Sequence, residues 1–252
     1  MLGWLRRLAR PDRPETPLDP ALAADVFARA PWARALDAGR RERLSCLAAW
    51  FLRNRAITPV AGLELDIRDR ALLSALCCLP VLEFGIGGLR GWSELIVYPD
   101  AFRVERSHVD AAGVLHEGQD DLIGESWQAG PLVLSWADVL TDCAAPRDGF
   151  CVAAHEMAHK LDALDGDLDG TPPLPRDWHA QWVRDFQAAF DGLNARLDRG
   201  KRTPIDDYAA ESPDEFFAVA TEYHFSAPER LRRAYPAVAD HLVRFYGPPP
   251  FG

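Results

Sequence analysis

His155-Glu156-Met157-Ala158-His159 places two imidazoles four residues apart, with a carboxylate beside the first. On a helix, positions i and i+4 stack on one face, so both rings can reach a single metal ion. Glu156 then borders the same space and suits the general base that takes a proton from a metal-activated water. Five residues can arise by chance, so the flanks decide. They run from Gly149-Phe150-Cys151-Val152-Ala153-Ala154 through Met157, Ala158 and Leu161, small and apolar throughout, and predict a largely buried helix from about residue 148 to 162. Imidazoles and a carboxylate in such a helix need partners to offset desolvation, and Zn2+ supplies them.

The rest of the chain bounds what surrounds this motif. At 252 residues, 48% hydrophobic and 26% charged, it is long enough for one substantial core and has the composition of a folded globular protein. The net charge of −10, with no long Lys/Arg block, argues against direct nucleic-acid binding. Cys46, Cys77, Cys78, Cys143 and Cys151 are odd in number and irregular in spacing, which reads as reduced thiols in a cytoplasmic protein. Cys151 precedes His155 by four residues, but a small buried core residue is its better reading. The amino-terminal stretch Met1 to Arg10 is basic and partly apolar, too short and too charged for a secretory signal, and residues 1–18 read as a flexible tail. No segment is long enough for stable membrane insertion.

Helical periodicity runs from Pro20 to about Asn54, and again from about Leu65 to Leu79, where Pro80 closes it. Gly85, Gly87, Gly88 and Gly91 lack the Lys-Ser/Thr of a phosphate loop and lead into a strand, so they read as a turn. Glu94 to Tyr98 and Gly130 to Trp136 are strand candidates, with Phe102-Arg103-Val104 and Leu122 to Trp127 between them and polar turns around His116-Glu117-Gly118. Together they predict a small sheet from about residue 93 to 136. Leu132 to Ser135 is the candidate edge for an extended peptide to pair with, a reading that proline substitutions along it would test. A short helix near Ala137 to Cys143 and a longer one near Asp177 to Leu197 follow, the latter with Trp178, Trp182, Phe186 and Phe190 at fourfold spacing. Ser212 is a plausible cap and Pro213 fits the first turn of a final helix.

Two histidines leave a catalytic zinc one protein ligand short. Asp165 stands ten residues after His155, but the turn it would need has Asp162 where glycine is required, so it is discounted. Asp162 reads equally as a carboxylate orienting a ligand histidine and as a solvent-facing residue. Glu215 and Glu222 lie in an apolar helix where a carboxylate needs a counter-charge. They are seven residues apart on one face, so periodicity does not separate them. His224 reads as a surface or packing residue.

The stretches His155 to Asp162, Ile205-Asp206-Asp207-Tyr208-Ala209-Ala210, Pro213 to Val219 and Glu222 to Pro228, with Ser126-Trp127 and Gly130 to Val139, resemble the Mlc titration factor A family of bacterial zinc-dependent peptidases. The resemblance covers about residues 20 to 247. It implies an α+β fold of zincin-like, glutamate-type metallopeptidases: an N-terminal helical region, a small β-sheet and an active-site helix carrying the two histidines. On that reading residues 19–252 form one domain, with a helical lobe over 19–90 and the sheet and zinc-site helices over 91–252. It also implies His155, His159 and Glu215 as zinc ligands, Glu156 as general base, and Tyr208 as the group that polarises the substrate carbonyl. The implied activity is an aminopeptidase-like hydrolysis of peptide or protein substrates. The implied partner is an Mlc-like transcriptional repressor of sugar uptake, and the rival reading is a non-catalytic, zinc-containing repressor-binding protein. His224 in place of an aromatic, the amino-terminal tail and Pro248-Pro249-Pro250 depart from the family pattern.

Overall fold

The computed structural model describes residues 14–100, 108–109, 115–116 and 130–251. Helices α1 (Pro20–Arg29), α2 (Pro31–Ala35) and α3 (Ala38–Asn54) come first among the described residues, followed by strand β1 (Ala56–Pro59) and helix α4 (Ile67–Cys78). Their starts are written locally. Asp19 and Asp37 accept from Ala21 and Arg40 N–H groups, and Asp66 with Asp69 forms a reciprocal capping box. Leu18, at the end of the expected tail, is buried, and its N–H donates to Ser45.

Strands β1, β2 (Glu94–Tyr98) and the later β5 (Leu132–Ser135) form one parallel sheet in the order β1-β2-β5. Leu95 and Val97 stand beside Leu132 and Leu134 on its buried face, the period-2 alternation of a half-buried sheet. Among the described residues β5 is an edge strand. The expected sheet is therefore present but is not confined to residues 93–136, because β1, from within the stretch expected to be a helical lobe, pairs with β2. Four residues ending in proline carry too little alternation to be read in advance. A separate antiparallel pair, β3 (His108–Val109) and β4 (Leu115–His116), puts His116 in a strand where a turn was expected. Phe102 to Val104 and Leu122 to Trp127 lie outside the described residues. No helix of the described residues is long and apolar enough to cross a membrane.

The second half is helical: α5 (Trp136–Ala144), α6 (Val152–Asp162), α7 (Arg176–Leu197), α8 (Pro213–Ser226), α9 (Pro228–Ala234) and α10 (Pro236–Tyr246). Strand β5 stops at Ser135, one residue early, because its hydroxyl accepts from Asp138 N–H and starts α5. Trp178, Trp182 and Phe186 project from α7 as expected and stack with Phe217 of α8 and with Phe245 and His241 of α10. Helices α9 and α10 extend the chain beyond the expected last helix. Val238, Leu242 and Phe245 are buried on α10 at helical spacing, a periodicity that the sequence itself carries.

The loop between α6 and α7 is pinned to the start of α8. Gly170 N–H donates to Asp162 at 2.7 Å, and its carbonyl accepts from Trp182 Nε1 at 3.0 Å. Gly170 has φ +80°, and a Cβ there would sit 2.4 Å from the Pro213 carbonyl oxygen. Gly170→Ala should therefore cost about 2–3 kcal/mol through left-handed strain and overpacking. Urea unfolding measures it, and a loss under about 0.5 kcal/mol would show that the contact relaxes freely.

Candidate metal centre

Helix α6 carries the two histidines against α8. Ala153, Ala154, Met157, Ala158 and Leu161 are buried, and the small residues let the two helices approach closely. It begins at Val152, four residues after the expected start, because no side chain of its own caps it. Two carboxylates from other helices do so instead. Cys151 N–H donates to Glu222 Oε2 of α8 at 2.7 Å, and Val152 N–H donates to Asp142 Oδ2 of α5 at 2.7 Å, satisfying donors that every helix start leaves open.

His155, His159 and Glu215 offer ligand atoms within 4.8 Å of one another, and no other such group occurs among the described residues. His155 Nε2 and His159 Nε2 are 3.3 Å apart, and Glu215 Oε2 lies 3.2 Å from the first and 3.5 Å from the second. That near-equilateral triangle matches the edge of a tetrahedron whose centre is about 2.0–2.1 Å from each donor. Glu215 Oε2 is buried between the two imidazoles. The three atoms surround a common point at tetrahedral-edge spacing, so the residues present fit a bound metal ion. Burial opposes a charge on His155, but the carboxylates of Glu215 and Glu222 outweigh it and push the imidazole up to about 10. Burial likewise opposes ionisation of Glu215, and His155 with His159 reverses this, holding the carboxyl well below its usual range. The carboxylates thus favour positive charge at the centre of the cluster.

The tie between the two glutamates dissolves in the structure, because both face His155 on opposite ring nitrogens. Glu215 approaches Nε2, and Glu222 Oε1 accepts from Nδ1 at 2.7 Å. Asp214, given no role by sequence reasoning, has Oδ2 3.8 Å from His159 Nδ1 and accepts from Ser212 Oγ. The signal was its place in the capped first turn of α8. Asp162 fits neither of its two readings: it is fully buried, it holds Gly170, and burial pushes its carboxyl up to about 8. Asp165 ends a short 3-10 turn (Ala163–Asp165) outside the cluster, and left-handed Gly166 caps that turn. Cys151 is buried and burial drives its thiol up, while His224 packs against Phe225 and Tyr246 and burial takes it down to about 3.

A cleft of about 1170 Å³ opens beside the triangle and is lined by His155, Glu156, Tyr208 and Glu222. Tyr208 sits in a 3-10 turn (Asp207–Ala210) started by Asp206, whose carboxylate accepts from Tyr208 N–H. Its ring centre is 6.1 Å from that of His155, and the side chain is 39% exposed, open to a ligand in the cleft. Asp138, Asp148, Asp207 and Glu211 add negative charge to the lining, which contains no Lys or Arg among the described residues.

Two packed helices that aim two imidazoles and a carboxylate at one point, beside a small sheet and an open cleft, define a protein of the metallopeptidase class. The chain belongs to the family described as Glucose-regulated metallo-peptidase M90, whose model matches residues 4–247. It is 38% identical over 254 residues to the Mlc titration factor A of Escherichia fergusonii, covering 99% of this chain and 93% of the relative. The Mlc titration factor A proteins of Enterobacter sp. and Klebsiella pneumoniae are each 39% identical, over 233 and 235 residues, covering 91% and 92% of this chain and 85% and 86% of theirs.

Proposed function

We propose that this chain is a zinc-dependent peptidase of the glutamate type, aminopeptidase-like, acting on peptide or protein substrates in the cytoplasm. The convergence of His155 Nε2, His159 Nε2 and Glu215 Oε2 carries the reading. These three residues would hold zinc. Bound there, zinc would lower the pKa of a water to about 7 and polarise the scissile carbonyl. Glu156, on the wall of the same cleft, takes the proton from the attacking water and returns it to the leaving amine. The Tyr208 hydroxyl donates to the carbonyl oxygen as negative charge develops on it.

The acidic lining supports the aminopeptidase reading, since an unblocked peptide carries a cationic α-amine at its amino end. Aminoacyl and short-peptide reporters with a free amine should be cleaved roughly tenfold or more faster, as kcat/KM, than their N-acetylated forms. Asp207→Asn with Glu211→Gln should narrow that ratio, and raised salt should narrow it further. Equal turnover of free and acetylated reporters would exclude the amine as the recognised group.

We further propose that the protein binds an Mlc-like repressor of sugar uptake, a role supported by the name Mlc titration factor A that its relatives carry. The alternative is a zinc-containing protein that binds the repressor without catalysis. Titration of a purified Mlc-type repressor against the zinc-loaded chain tests the partner directly. No saturable complex at micromolar concentration would remove it.

A further inference from the structure

Glu222 is committed twice. Its Oε1 accepts from His155 Nδ1 and its Oε2 from Cys151 N–H, both at 2.7 Å, and the residue is buried. One carboxylate therefore ties a ligand ring to the start of the helix that carries it. We infer that Glu222 is the positioning residue of the metal centre: it holds the proton of neutral His155 on Nδ1 and so turns an unprotonated Nε2 toward the metal. This inference rests on the metal reading above and assigns Glu222 a task distinct from ligation.

The chemistry of the two bonds explains why a carboxylate is needed. An ionised carboxylate accepts with both oxygens and donates with neither. Glutamine has the same shape but a single oxygen, so it can satisfy either His155 or Cys151, with its NH2 group facing the other donor. If the NH2 turns to His155, the ring must present an unprotonated Nδ1, which moves the proton to Nε2, the atom required by the metal. If it turns to Cys151, the helix start loses its acceptor and the ring loses a charge-assisted bond.

Asp142 supplies the internal comparison, because its carboxylate caps Val152 at the same helix end, with its hydrogen bond made to that N–H and not to His155. The experiment measures zinc affinity of the purified full chain by competition with a chromophoric chelator, for wild type, Glu222→Gln and Asp142→Asn, along with the thermal midpoint of each metal-free protein. Both variants should lower the midpoint. Glu222→Gln should weaken zinc binding by about 10–100-fold, whereas Asp142→Asn should change it less than about threefold, the difference a purely structural cap would not produce. Wild-type zinc affinity in Glu222→Gln would overturn the inference, and a wild type that holds no zinc would remove the metal reading beneath it. Should Glu222→Gln not fold, long-range 1H-15N correlation of the zinc-loaded wild type still decides. A protonated, exchange-protected Nδ1 on His155 supports the assignment, and a proton on Nε2 or on neither nitrogen overturns it.

Discussion

Glu156→Gln should retain one zinc per chain and lose peptide hydrolysis by about 10²–10⁴-fold in kcat, the range of general acid-base catalysis by one side chain. Glutamine fills the same volume on the cleft wall but cannot accept a proton from water or pass it to the leaving amine. Glu156 makes no part of the ligand triangle, so metal content should be unchanged. The measurement is turnover of aminoacyl and short-peptide reporters, with zinc quantified in the same samples. Activity that vanishes in a variant still holding its metal assigns the proton relay to Glu156. Equal activity in both proteins would sink that assignment. Zinc in both with cleavage by neither would favour the repressor-binding reading over the peptidase.

Tyr208→Phe should lower kcat by about 10²–10³-fold, or about 2.7–4 kcal/mol, the cost of one lost donor to a developing oxyanion. KM should stay nearly constant, because the hydroxyl serves charge that exists only in the transition state. The ring is partly exposed on a short 3-10 turn whose start is capped by Asp206, so the phenyl replacement should leave the thermal midpoint within a degree or two of wild type. A raised KM with unchanged kcat would mean that Tyr208 binds substrate without stabilising charge. No change in either would remove it from the mechanism.

Local signals were legible where they were strong. The spacing of His155 and His159, the Ser212 cap with Pro213 behind it, and the aromatic stripe of α7 are each set by residues within two helical turns, and each stands where it was expected. Strand β1 was not legible, since its four residues hold a place in the sheet only through parallel pairing with β2, 38 positions away. The start of α6 is not legible in its own sequence because its caps, Glu222 and Asp142, come from other helices. The role of Asp162 is hidden for a similar reason, as its partner is a loop glycine held in place by Trp182.

By itself, the sequence determined that two imidazoles share one helical face with a glutamate beside them, and that a second helix brings buried carboxylates which need a counter-charge. It did not determine which carboxylate does what, because seven residues return to the same stripe of a helix. Only the docking of α8 on α6 separates them. The two helices run in opposite directions, with Asp214 and Glu215 beside His159 and Glu222 beside Cys151. Seven residues span about 10.5 Å of helix axis, enough to carry one carboxylate to the Nε2 atoms of the histidines and the other to Nδ1 of His155 and the helix start.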